Sequence, residues 1–155
     1  MIKGESKTIQ FWLTAAIPAI GLIVARNLTF LFQALFDYSM RLPLPFAIKL
    51  ELPDIIIGVF IPIVTAFVAT LIIPVATSRF MAILFAVPVF IVHFYSYAIS
   101  DWVLPGIYFI AYPGDTPGAG YQMIMNGAIS VLVSLFLLTI VAVVGWLATK
   151  IRKRA

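Results

Sequence analysis

The sequence predicts an all-α integral membrane protein with about four transmembrane helices, and three observations predict it. Residues 55–75 and 80–100 contain no Asp, Glu, Lys or Arg. At about 1.5 Å per residue each block reaches about 30 Å, the thickness of a bilayer's hydrocarbon core. Apolar residues make up 63% of the 155-residue chain and the mean hydropathy is +1.13, against about 45–50% apolar residues in soluble domains. The basic residues gather at the chain ends and at one turn, which is the pattern of membrane orientation and not of a nucleic-acid-binding stripe. A single membrane domain over residues 1–155 is expected, because four crossings leave no residues for a second core. With no cysteine, a disulfide framework, a thiolate metal site and a cysteine nucleophile are all excluded.

The first span is expected over residues 9–25. Lys3, Glu5 and Lys7 precede it like the charged start of a signal peptide, but the apolar stretch runs on and no small-x-small cleavage site follows, so retention is expected. Pro18 predicts a kink. Past Arg26 the helix is expected to extend over residues 26–40, with Leu28, Leu31, Phe32, Leu35 and Phe36 on one face and Arg26, Thr29, Gln33, Asp37 and Arg41 on the other. Such an extension is either a tilted continuation or a bent interfacial segment, with Arg26 snorkelling to the headgroups as the simplest role for that side chain.

Residues 41–54 hold Pro43, Pro45 and Pro53, which predict an extended external connection. Within it, residues 46–52 alternate like a short strand, one that needs a partner to be stable. In the second span, 55–75, Gly58, Pro62, Ala66 and Thr70 fall four apart and form a narrow helix-packing seam. Only residues 76–79 separate it from the third span, 80–100, so the two are expected to be neighbouring antiparallel helices with Arg79 at the turn.

The third span carries His93, the single histidine. Tyr97 and Ser100 share its face, and Ser96 and Asp101 are near, so a hydrogen-bonded line could reach the surface. A titratable group at membrane depth suggests proton relay, metal ligation or a pH-sensitive contact; the simpler role is an imidazole satisfied by a neighbouring helix. Residues 101–122 are expected as an external connection. In it 102–112 is too short to cross and so interfacial or re-entrant, anchored by Trp102, Tyr108 and Tyr112, and residues 113–120 form a turn-rich linker without the Lys-Ser/Thr of a phosphate loop. The fourth span, 123–149, places Asn126, Ser130 and Ser134 four apart as helix contacts, and a basic tail closes the chain at 150–155. A fifth crossing, at 28–36 or 102–112, is the main competing count.

Four crossings group Lys3, Lys7, Arg79, Lys150, Arg152, Lys153 and Arg154 on one side against Glu5, and Asp37, Glu51, Asp54, Asp101 and Asp115 on the other against Arg41 and Lys49. Cationic flanks favour the cytoplasm, which places both termini there in the cell membrane. No cofactor motif, metal-ligand set or paired catalytic residues stand in the sequence. The expected function is a non-catalytic accessory subunit of a larger membrane complex, respiratory, monooxygenase-type or similar. Its expected partners are other membrane subunits and the lipid bilayer, with a hetero-oligomer favoured over a homo-oligomer and no nucleic acid. The alternatives are a small homo-oligomeric transporter or channel using Arg26 or His93, and an embedded enzyme using His93 with Tyr97 or Asp101.

Overall fold

The computed structural model describes residues 2–114 and 118–154, with side chains from residue 7 onward. The side chains of Lys3 and Glu5, and Asp115 with the middle of the turn-rich linker, lie outside the described residues. Among the described residues seven α-helices follow in order: α1 Ile2–Asn27, α2 Thr29–Arg41, α3 Phe46–Ile55, α4 Ile61–Ile72, α5 Arg79–His93, α6 Leu104–Ala111 and α7 Ala119–Arg152. Two π-helical stretches, Ile56–Phe60 and Phe94–Val103, join α3 to α4 and α5 to α6. The result is four helices long and apolar enough to cross a membrane, at Lys7–Asn27, Phe46–Ile72, Arg79–Ala111 and Ala119–Arg152.

Two of these spans are longer than the sequence suggests, and prolines explain why. Residues 46–52 form helix and not strand: Pro45 sits at the N-cap of α3 with its ring already in a helix-compatible φ of −55°. A lone strand would leave its ladder groups unpaired, whereas a helix satisfies its own. Inside α3, Pro53 has no amide to give to the Lys49 carbonyl. The Ser39 hydroxyl of α2 lies 2.8 Å from that carbonyl oxygen and 2.8 Å from the Phe36 carbonyl, so a neighbouring helix supplies the donor that the proline lacks. Lys49 in turn donates to the Met40 carbonyl at 3.2 Å, near the C-terminus of α2. Ser39→Ala is expected to lower stability by about 1 kcal/mol, and less in a Pro53→Ala background, where residue 53 regains an amide; a double-mutant cycle on detergent unfolding measures the difference.

Both π stretches end just before a proline, Pro62 and Pro105. A proline ring presses on the carbonyl four residues back, and a turn widened by one residue relieves that contact. Residues 102–111 therefore continue the third span as helix, which shortens the expected 101–122 connection to 112–118 and moves Asp101 out of a loop. Similarly, the 41–54 connection shrinks to residues 42–45. The first helix does not run straight into its extension. It breaks at Leu28, whose ψ of 83° is not helical, and α2 turns to pack on α3, with Leu31 and Leu35 against the Leu22, Ala25 and Ile57 cluster.

The spans form a ring in which the first packs against both the second and the third, and the fourth does the same from the other side. The second and third spans are thus diagonal and not the side-by-side hairpin that the short turn suggests; residues 73–78 cross the corner, and Ser78 caps α5 through the Met81 amide at 3.2 Å. The core is alanine-rich, with Ala15, Ala19, Ala66, Ala82 and Ala86 around Phe85, Val89, Leu137 and Val141. Small side chains let helices approach closely, which is the main source of association where lipid is as apolar as leucine. α6 approaches α7 closely, and a Cβ on Gly120 would stand 2.7 Å from the Gly106 carbonyl. Gly58, Pro62, Ala66 and Thr70 are all buried, and the Thr70 hydroxyl is satisfied by the Ala66 carbonyl of its own helix at 2.7 Å. The outer surface of the four spans is largely apolar, with Leu13, Ile20, Val64, Phe80, Leu132 and Phe136 exposed, a surface that calls for lipid around it.

Candidate functional site

At the end of the bundle opposite Arg79, side chains from all four spans converge. The bend at Leu28 takes Arg26 off the polar stripe of α2, whose Thr29, Gln33, Asp37 and Arg41 are exposed, and leaves it at the end of α1 facing the third span. There its guanidinium pairs with the Asp101 carboxylate and lies over the Tyr97 ring, 4.2 Å from the centroid. Arg26 therefore does more than snorkel: it ties span one to span three. A guanidinium over a ring and against a carboxylate uses both its charge and its flat face.

Tyr97 stacks on His93, with centroids 4.6 Å apart. His93 is 3% exposed, and its Nδ1 lies 2.7 Å from Ser134 Oγ on α7. The Ser134 hydroxyl donates to the Ser130 carbonyl at 2.8 Å, which uses its one proton. With the hydroxyl proton so placed, the Nδ1–H tautomer is the one that completes the pair, and it leaves Nε2 bare. That nitrogen faces Gly58, where a Cβ would come within 3.4 Å of Nε2 and 3.1 Å of the Tyr97 ring. Ser134→Ala is expected to leave the buried imidazole without its acceptor and to cost about 1–3 kcal/mol in unfolding free energy; Ser134→Thr, which keeps the hydroxyl, is expected to recover most of the loss.

Above this line opens a cavity of about 350 Å³, lined by Glu51, Asp54, Tyr97, Asp101, Trp102, Asn126 and Ser130 among others. With Asp101 engaged by Arg26, Glu51 and Asp54 are carboxylates without an ion-pair partner among the described residues. The Tyr97 hydroxyl and Arg26 Nη1 are shielded atoms that meet no hydrogen-bond partner among the described residues. The pit is thus acidic and walled on one side by the rings of Tyr97 and Trp102, with the His93–Ser134 pair behind the Tyr97 ring. No group of three or more metal-ligating side chains is found among the described residues.

His93, Tyr97, Asp101 and Arg26, four residues that stand out in the sequence, form one continuous line. Asn126, Ser130 and Ser134, expected only as helix contacts, include two residues of the cavity wall and the partner of His93. Ser100 does not join and is exposed. In a π-helical turn the next residue over His93 and Tyr97 is four or five on and not three, which selects Asp101. Glu51 and Asp54 do not stand out as site residues when 41–54 reads as a loop. The signal is present all the same: Asp54 extends the seam Gly58, Pro62, Ala66 and Thr70 by one further step of four. No family model, curated protein or solved structure matches the chain.

Proposed function

We propose that this chain is a non-catalytic helical subunit of a larger membrane assembly, respiratory, monooxygenase-type or similar, and that the acidic pit is where a neighbouring subunit docks a basic group. The reading places it in the cell membrane with both termini cytoplasmic, since the described charged side chains at the end opposite the pit, Lys7, Arg79, Lys150, Arg152, Lys153 and Arg154, are all basic. One observation carries the proposal: the interior beneath the pit is packed. Beneath His93 and Ser134, the side chains of Phe85, Val89, Leu137 and Val141 are 0% exposed and fill the interior. Polar groups gathered at membrane depth are costly, and the packed interior beneath them favours a role in meeting a neighbour over one in lining a path across. The α2–α3 pair beside the pit adds Phe30, Tyr38 and Phe46 as exposed aromatics that a neighbour can cover.

A second reading rests on the pit's own chemistry. Tyr97 and Trp102 beside Glu51 and Asp54 suit an organic cation, and a homo-oligomer carrying such a solute is the corresponding transporter or channel. An enzyme centred on His93 has less support, because Tyr97 and Ser134 cover the imidazole.

Solubilising native membranes in mild detergent separates these. The subunit reading expects stoichiometric co-migration with different polypeptides, and loss of that company in a Glu51→Gln/Asp54→Asn variant that still folds. A chain that runs only with itself and moves an organic cation in liposomes would replace the first reading by the second.

A further inference from the structure

At the opposite end of the bundle, the third and fourth spans leave an apolar groove of about 430 Å³ between them. Its lining includes the small residues Ala82, Thr139 and Ala142, and Arg79 and Trp146 stand along it. From Leu138 to Trp146 the groove follows the helix for about 12 Å, close to the depth of one leaflet's hydrocarbon, about 15 Å. Trp146 is shared with a second depression on the same helix, lined also by Lys150 and Arg154, and the Lys150 ammonium lies 5.5 Å from the Trp146 ring centroid.

Charge decides what fills it. Arg79, Lys150 and Arg154 have no ion-pair partner among the described residues, and no acidic side chain is described at this end of the bundle. A cation at the mouth of an apolar groove, beside a tryptophan at headgroup level, fits an occupant with one anionic head and one hydrocarbon tail.

We propose that this groove is a site for one anionic phospholipid, one of its acyl chains along Ala82, Thr139 and Ala142 and its phosphate held by Arg79, with Lys150 and Arg154 on the far side of Trp146 reinforcing the charge. The site is independent of the pit and of the subunit reading. It differs from the general attraction of a basic tail for a membrane surface in needing both the groove and one particular arginine.

The test uses the full chain purified in detergent, delipidated, and mixed with phosphatidylglycerol or phosphatidylcholine micelles, with retained lipid counted by native mass spectrometry. The wild-type chain is expected to hold one phosphatidylglycerol in preference to phosphatidylcholine. Arg79→Gln is expected to cut that preference about fivefold, the worth of one cation near an anionic surface, while still holding a lipid of either kind. Thr139→Phe fills the groove from its exposed side, where folding is undisturbed, and is expected to lose both lipids. Glycerol phosphate, a head without a tail, is expected not to compete. Equal retention of the two lipids by the wild-type chain, an unchanged preference in Arg79→Gln, full retention in Thr139→Phe, or competition by glycerol phosphate would each overturn the proposal.

Discussion

Gly120→Ala is expected to unseat the fourth span from the third and to lower the unfolding free energy by about 3 kcal/mol or more. A Cβ at this position would stand 2.7 Å from the Gly106 carbonyl, 2.7 Å from Phe109 Cβ and 2.8 Å from the Ile110 amide. Two of these neighbours are backbone, so relief requires the helices to part, and the close packing that holds them in lipid is lost with the separation. Two other glycines calibrate the effect. At Gly127 the nearest atom is Val103 Cγ2, also at 2.7 Å, but a side chain can rotate away, so alanine there is expected to cost less. At Gly114 nothing lies within 4 Å, and alanine is expected to leave stability unchanged. Reversible unfolding in mixed micelles ranks the three; equal losses at Gly120 and Gly114 would mean that α6 and α7 do not meet at their backbones.

The second large effect is at the ion pair. Asp101→Ala is expected to cost about 2–3 kcal/mol, because it strands the Arg26 guanidinium over the Tyr97 ring without its carboxylate. That figure lies below the 3–5 kcal/mol typical of a fully buried pair, since the two side chains remain 30% and 36% exposed and water screens part of the interaction. Removing both partners, as in Arg26→Met/Asp101→Leu, is expected to recover most of the loss, because an apolar pair has no desolvation to repay. Full additivity of the two single substitutions would show that the groups do not interact.

The number of spans and their apolar character were legible from composition and block length alone, since a bilayer admits few lengths of helix. The seam of Gly58, Pro62, Ala66 and Thr70 and the polar rows around His93 and Ser134 were legible as faces, because residues four apart share one side of a helix. What a face meets is a property of tertiary packing, and one sequence does not state it. Arg26 shows the consequence. Its spacing places it with Thr29 and Gln33, but the break at Leu28 turns it inward, and no residue near Leu28 announces that break. Proline misled in the other direction. Pro53 reads as part of an extended connection and 102–112 as a separate short segment, yet a hydroxyl from a neighbouring helix and a widened turn let the helices continue. Asp101 and Asp54 then pass from apparent loops to the walls of the pit, and the chemistry of the site changes with them.

Site-specific photo-cross-linking in native membranes tests the docking role of the pit most directly. A photoreactive residue replacing Glu51 or Trp102, at the pit's rim, is expected to join this chain to a different polypeptide of fixed mass, and one replacing Val143, on the lipid-facing side of α7, is expected to capture lipid alone. Adducts from the rim that contain only lipid, or only a second copy of this chain, would contradict the account.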